Sequence, residues 1–129
     1  MRNAVLAMLL ACTSCSALAE VWVVVGKNEK FDAYADPATM RKEGGTVKMW
    51  NLFDYKTAQP GVAGKRFLSA KHHREYDCTT GRARVLAVTS HAENLAKGEV
   101  VAAASVDLGW SVVASGSADE LLWKFACGK

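Results

Sequence analysis

Apolar and polar residues alternate over most of this chain, the period-2 pattern of strands half-buried in a sheet. Thr46 to Tyr55 shows it most clearly: Val47, Met49, Phe53 and Tyr55 fall on one face, Lys48, Trp50, Leu52 and Asp54 on the other. Apolar residues on both faces predict a central strand covered on both sides. Arg66 to Cys78 repeats the pattern, with Leu68, Ala70, Tyr76 and Cys78 on one side and Ser69, Lys71, His73, Glu75 and Asp77 on a wet side. After the turn Thr79-Thr80-Gly81, Arg82 to Ser90 predicts a returning strand, with Leu86 and Val88 on one side and Val85 and Ala87 on the other. Upstream, the β-branched and aromatic run Val21-Trp22-Val23-Val24-Val25 predicts a buried strand ending at Gly26. A polar turn, Lys27 to Lys30, joins it as a hairpin to a short strand over Phe31 to Ala35. Glu99 to Ser105 predicts a further strand, and Trp110 to Val113 is short and apolar.

The interruptions are equally legible. Asp36-Pro37 opens a turn, and Asp36 is placed to cap a short helical piece, Ala38-Thr39-Met40-Arg41, that Gly44-Gly45 stops. Gln59 to Gly64 reads as a loop and His91 to Gly98 as a polar connection. Helical spacing appears at the C-terminus, where Leu121, Leu122, Phe125 and Ala126 share one face. Ser117-Ala118-Asp119-Glu120 is a capping box: Ser117 accepts from the Glu120 N–H, and Glu120 reaches back to the Ser117 N–H. Gly128 is the stop. The predicted class is α+β: about six strands in an antiparallel sheet, packed by a C-terminal helix.

The first residues form no part of that sheet. A positive start, an uncharged apolar stretch from Ala4 to Ala11, and the small-x-small pattern Ala17-Leu18-Ala19 predict a secretory signal peptide over 1–19, cleaved after Ala19. The domain then covers 20–129. A rival reading takes Leu9-Leu10-Ala11-Cys12 as a lipoprotein site with Cys12 lipidated, but the Ala-x-Ala site is the cleaner match. The expected address is the periplasm or the outer-membrane surface. Cleavage removes Cys12 and Cys15 and leaves Cys78 and Cys127. Two cysteines in an exported chain predict one disulfide, which would pin the helix to the strand ending at Cys78. Closing a loop of about fifty residues is worth ~4 kcal/mol in the chain-entropy account. The two cysteines lack the paired spacing of a zinc site and of a Cys-x-x-Cys redox pair.

Composition narrows the function. The chain has 129 residues, half of them apolar and 22% charged, which suits one globular domain. A net charge of +3 is too small and dispersed for a nucleic-acid-binding protein. No apolar run reaches the ~20 residues of a spanning helix. His72 and His73 are neighbours on a strand, so they point to opposite faces and cannot chelate one ion; they and His91 read as solvated. There is no nucleophile elbow or related motif, and the reading is a non-enzyme without metal or cofactor. The candidate binding surface is cationic: Lys65, Arg66, Lys71, Arg74, Arg82 and Arg84 lie within twenty residues on two neighbouring strands. Such a patch suits acidic glycans, matrix proteins or a membrane surface. Trp22, Trp50, Trp110 and Trp123 are candidates for a platform, core or homodimer seam.

A set of short runs adds a family resemblance. It comprises Tyr34-Ala35-Asp36-Pro37, the stretch Val47 to Tyr55, Ser69-Ala70-Lys71 and Glu75-Tyr76-Asp77-Cys78. It continues with Gly98-Glu99-Val100-Val101, Trp110, Gly116 to Glu120, Leu122-Trp123 and Cys127. In this order and spacing they resemble the surface-adhesin protein E family of proteobacteria, over nearly the whole mature chain. The resemblance implies an antiparallel sheet with a C-terminal helix, export to the envelope, and a tendency to dimerise. It also implies binding of host matrix proteins such as vitronectin and laminin, though it carries over no single contact residue. The sequence therefore reads as an exported, non-enzymatic binding module for host matrix or other macromolecules. The alternative is a periplasmic structural or small-ligand-binding accessory protein.

Overall fold

The computed structural model describes residues 20–129; the expected signal peptide over 1–19 and the lipidation reading at Cys12 lie outside them. The strands are β1 (Val23–Lys27), β2 (Phe31–Ala35), β3 (Arg41–Glu43), β4 (Thr46–Pro60), β5 (Arg66–Asp77), β6 (Arg82–His91), β7 (Val100–Ser105) and β8 (Ser111–Val112), followed by helix α1 (Ala118–Cys127). All pairings are antiparallel. The main order is β1-β2-β4-β5-β6-β7; β3 pairs with β4 and β8 with β6. The α+β expectation holds, with eight strands of which six form the main path.

Local chemistry sets the turns. The Asn28 carboxamide accepts from the N–H groups of Lys30 and Phe31, both at 2.8 Å, and closes the β1–β2 hairpin. Asp36 caps as expected, accepting from the Ala38 N–H at 3.2 Å, but the turn it starts is a 3-10 segment, Pro37–Thr39. Arg41 is not helical. Met40 is already extended, and the chain enters β3 to pair back on β4 through a turn at Gly44, whose φ is +59°. Thr39 explains the early stop: its hydroxyl donates to the Asp36 carbonyl and accepts from the Trp50 N–H, tying the turn to β4.

The helix covers one face of the sheet. Ala33, Ala35, Val47, Met49, Phe53 and Tyr76 pack there against Leu122 and Ala126 of α1. Leu121 lies directly over Gly26, where a Cβ would come within 2.6 Å of its side chain. The cap is Ser117, whose hydroxyl accepts from the Glu120 N–H at 3.2 Å. The return half of the capping box differs from expectation. Glu120 receives the N–H of Gly116, while the Ser117 N–H goes to the Ala114 carbonyl, because Gly116 sits in the left-handed region at φ +78°. Gly128 ends the helix at φ +68°. Cys78, just past β5, is bonded to Cys127 in the last turn of α1, with their Cα atoms 5.6 Å apart. The Trp123 indole N–H donates to the Asp77 carbonyl at 2.9 Å beside it, so this end of the helix is fastened twice.

Four strand expectations change. β1 is not a buried strand ending at Gly26: it lies at the sheet edge, runs on to Lys27, and leaves Val23 and Val24 exposed. β4 does not stop at Tyr55: Gln59 and Pro60 pair with Phe67 and Arg66 after an irregularity. In β6 the regular alternation fails. Val85 lies opposite Arg74 and Val88 opposite His72, so three steps on β6 match two on β5. The extra residue is a bulge, and it brings Val85 and Val88 to one face. On β5 the expected wet side is wet only in part, since Ser69 and Glu75 are buried. The segment after β6 folds over Ser69, and Arg84 lies on Glu75.

Candidate functional site

The face of the sheet away from α1 carries a set of charged and aromatic side chains in register across β3 to β6. Directly opposed residues on neighbouring strands share a face, so the registers build transverse rows. One row reads Arg41, Lys48, Glu75, Arg84 across β3, β4, β5 and β6. The next contains Trp50 and His73, and the one after it Leu52, Lys71 and Thr89.

These rows are tied together. Trp50 and His73 stack, with ring centroids 4.8 Å apart and planes 11° from parallel. Lys71 places its ammonium 5.4 Å from the Trp50 ring centroid and 2.7 Å from the Glu20 carboxylate. Glu75 is 6% exposed; it accepts from Arg84 Nε at 2.8 Å and from the Thr46 hydroxyl at 3.1 Å. The other side of the Arg84 guanidinium meets Trp110 at 4.7 Å. Burial, with the Lys48 charge adding to it and Glu75 opposing, lowers the His73 pKa. The stacked ring is thereby biased toward its neutral form.

The six sequence-predicted cations have different places. Lys71, Arg82 and Arg84 belong to the face away from the helix, Arg82 opposite Asp77 at its edge. Arg74 belongs to the helix side. It is nearly buried, pairs with Asp119 of α1 at 2.6 Å, and lies over Phe53. Lys65 and Arg66 sit at the other end of the molecule, Lys65 3.3 Å from Glu99 and Arg66 on the Ala58 carbonyl. Arg41 and Lys48 escaped the sequence reading. The signal for them is the β3–β4 register, which the local pattern hides by reading Arg41 as part of a helical turn.

The tryptophans divide likewise. Trp50 and Trp110 belong to the row face, Trp123 packs beside the core, and Trp22 lines a shallow hollow with Tyr34 and Leu95. The histidines are not simply solvated. His72 is largely buried on the helix side, edge-on to Phe53 at 5.1 Å, and His91 is 8% exposed opposite Ser69. Ser69 faces a histidine across the sheet, yet its hydroxyl is buried and donates to the Glu93 carbonyl at 2.6 Å. Among the described residues no group of three or more His, Cys, Asp or Glu side chains is arranged to hold a metal ion.

Comparison with known proteins fits this frame. The profile of the family described as surface-adhesin protein E matches residues 22–128. The chain belongs to the surface-adhesin protein E family. Solved structures of protein E from Haemophilus influenzae share its fold. The crystal structure from a non-typeable strain superposes with a TM-score of 0.65 at 9% identity, covering 88% of this chain and 79% of that one. The selenomethionine form gives 0.62 at 10% identity, covering 86% and 93%. A second crystal form gives 0.61 at 9% identity, covering 85% and 96%. No curated protein matches the chain in sequence. At 9–10% identity this likeness is one of fold.

Proposed function

We propose that this protein is an exported, non-enzymatic binding module that engages a macromolecular partner through the sheet face opposite α1. One observation carries the reading. The helix covers only one face, and the other presents a broad charged and aromatic surface rather than a deep cleft built around a reactive group. Family membership supports a cell-surface role. Host matrix proteins, vitronectin and laminin foremost, are the proposed partners, and dimerisation is a proposed property of the free protein. Of the cations read from the sequence, Lys71, Arg82 and Arg84 are proposed to meet the partner. Arg74 is proposed to support the fold by anchoring α1.

A solid-phase assay of the oxidised domain against vitronectin and laminin tests this. Saturable binding at micromolar protein is expected, weakened by Lys71→Gln and unaffected by Lys124→Gln on the helix. Absence of binding would remove the matrix-protein reading. A groove lined by Arg74, Val85, Leu108, Val112 and Asp119 favours the second reading, a small-ligand accessory role. That reading gains if a small amphipathic compound raises the melting temperature while matrix proteins do not bind.

Export is the other half of the proposal. Cleavage after Ala19 would make Glu20, the residue paired with Lys71, the first of the mature chain. N-terminal sequencing of protein recovered from the envelope should begin at Glu20; a start at a lipidated Cys12 would replace this reading with membrane anchoring.

A further inference from the structure

We propose that the transverse row Arg41, Lys48 and Arg84, with Lys71 and the Trp50–His73 stack beside it, binds a linear sulfated polysaccharide. This inference rests on the binding-module reading and names the chemistry of its face.

The first support is an electrostatic cost. Arg41 and Lys48 are directly opposed on β3 and β4. Like charges in that position destabilise a sheet, and among the described residues neither has an acidic side chain within ion-pair distance. The one carboxylate in the row, Glu75, is sunk below the surface with its oxygens on Arg84 and Thr46. Arg41 is also held in position, donating to the carbonyls of Ala38 and Met40 rather than to an acid. The sheet thus fixes two cations side by side without an ion pair, the carboxylates of Glu43 and Asp77 standing in the adjoining row. An anionic partner relieves that repulsion.

The second support is shape. Strands lie about 4.8 Å apart, so Arg41 and Arg84, three strands distant, are separated by roughly 14 Å across the sheet. A single small anion touches one end of such a row; an extended chain with repeated charges runs along it. Sulfate esters suit the site because they stay ionised at every pH the fold withstands, and the cations offer donors only. A single-stranded nucleic acid fits less well. It needs free aromatic faces for its bases, and Trp50 is already stacked on His73 and covered by Lys71.

The test uses the exported, oxidised protein titrated with heparin, with the same polymer stripped of sulfate, and with a DNA oligonucleotide of matched charge. Heparin is expected to bind saturably, the desulfated polymer and the DNA at least roughly tenfold more weakly. Arg41→Gln combined with Lys48→Gln should weaken heparin binding roughly tenfold. It should also flatten the salt dependence by about one unit of slope per cation removed. Lys42→Gln is the control, because Lys42 sits opposite Val47 and faces the helix side. Unchanged melting of the double variant separates lost binding from lost fold. No heparin binding, equal binding of DNA, or an equal loss in the Lys42 variant would overturn the inference. Matrix proteins that still bind while heparin does not would sink this inference alone; failure of both would sink the parent reading as well.

Discussion

Replacing Cys78 and Cys127 together by Ser should lower the stability of the oxidised protein by about 4 kcal/mol. The bond spans 49 residues, so the reduced, unfolded chain regains the freedom of a long loop. That is a large share of the roughly 5–15 kcal/mol that holds a domain of this kind folded. The structure shows where the loss falls. Cys127 closes the last turn of α1, next to Ala126 in the core, and the Trp123 bond to the Asp77 carbonyl depends on the same alignment. Fraying of this end exposes Tyr76 and Val47, which α1 helps to cover. Urea denaturation of the wild type with and without reductant, beside the double variant, measures the effect. Reduction should move the wild type onto the variant's curve, and a loss below about 1 kcal/mol would show that the bond adds little to the packing.

The second large effect is acid sensitivity arising at His72. Burial lowers its pKa from 6.5 to about 4, the Arg74 charge adds to this, and Asp119 opposes it. The ring lies edge-on to Phe53, and its Nδ1 is buried without a partner, so a proton placed there meets neither water nor an acceptor. Between pH 6.5 and 4 the unfolded chain therefore binds the proton that the native state refuses. The stabilisation from a neutral His72 is complete above pH 6.5 and is lost progressively as the pH falls toward 4. A shift of this size corresponds to a loss on the order of 3 kcal/mol. His73 is shifted the same way, so the variant His72→Gln is needed to isolate the effect. Asp77 acts in a lower window. Its carboxyl is held down to about 2 by the hydroxyl and N–H of Thr79, so its contribution disappears only as the pH falls from 3.8 through 2. Denaturation at pH 7, 5.5 and 4.5 should show a steep fall for the wild type and a shallower one for His72→Gln. Parallel curves would remove His72 as the cause.

The expected acid sensitivity and the proposed partner binding involve opposite faces of β5. His72 and His73 are adjacent in sequence, one under the helix and one stacked on Trp50. Strand alternation puts them on opposite faces, which was readable in the chain; the burial of His72 was not, since both read as solvated. Most strand positions, the Ser117 and Gly128 caps and the Cys78–Cys127 pairing were readable for similar reasons. Each depends on residues close in sequence or on a count of two.

The cationic surface was legible only in part. Lys71 and Arg84 came from local density of charge, but so did Arg74, which the helix covers, and Lys65 and Arg66, which lie at the far end. Arg41 and Lys48 went unseen because their meeting depends on a strand that the local pattern reads as a helical turn. The bulge in β6 had the same origin. Nothing near Leu86 announces an extra residue, yet one residue reverses the phase of every side chain beyond it.

By its sequence alone, then, this protein determined its period-2 strands, its terminal helix and its two-cysteine pairing, since these are set by neighbours along the chain. Which cations stand together, which histidine is sealed from water and which serine is buried were decided by tertiary structure. Register and bulges arise between distant strands, and their energies come from packing that no short window of sequence contains.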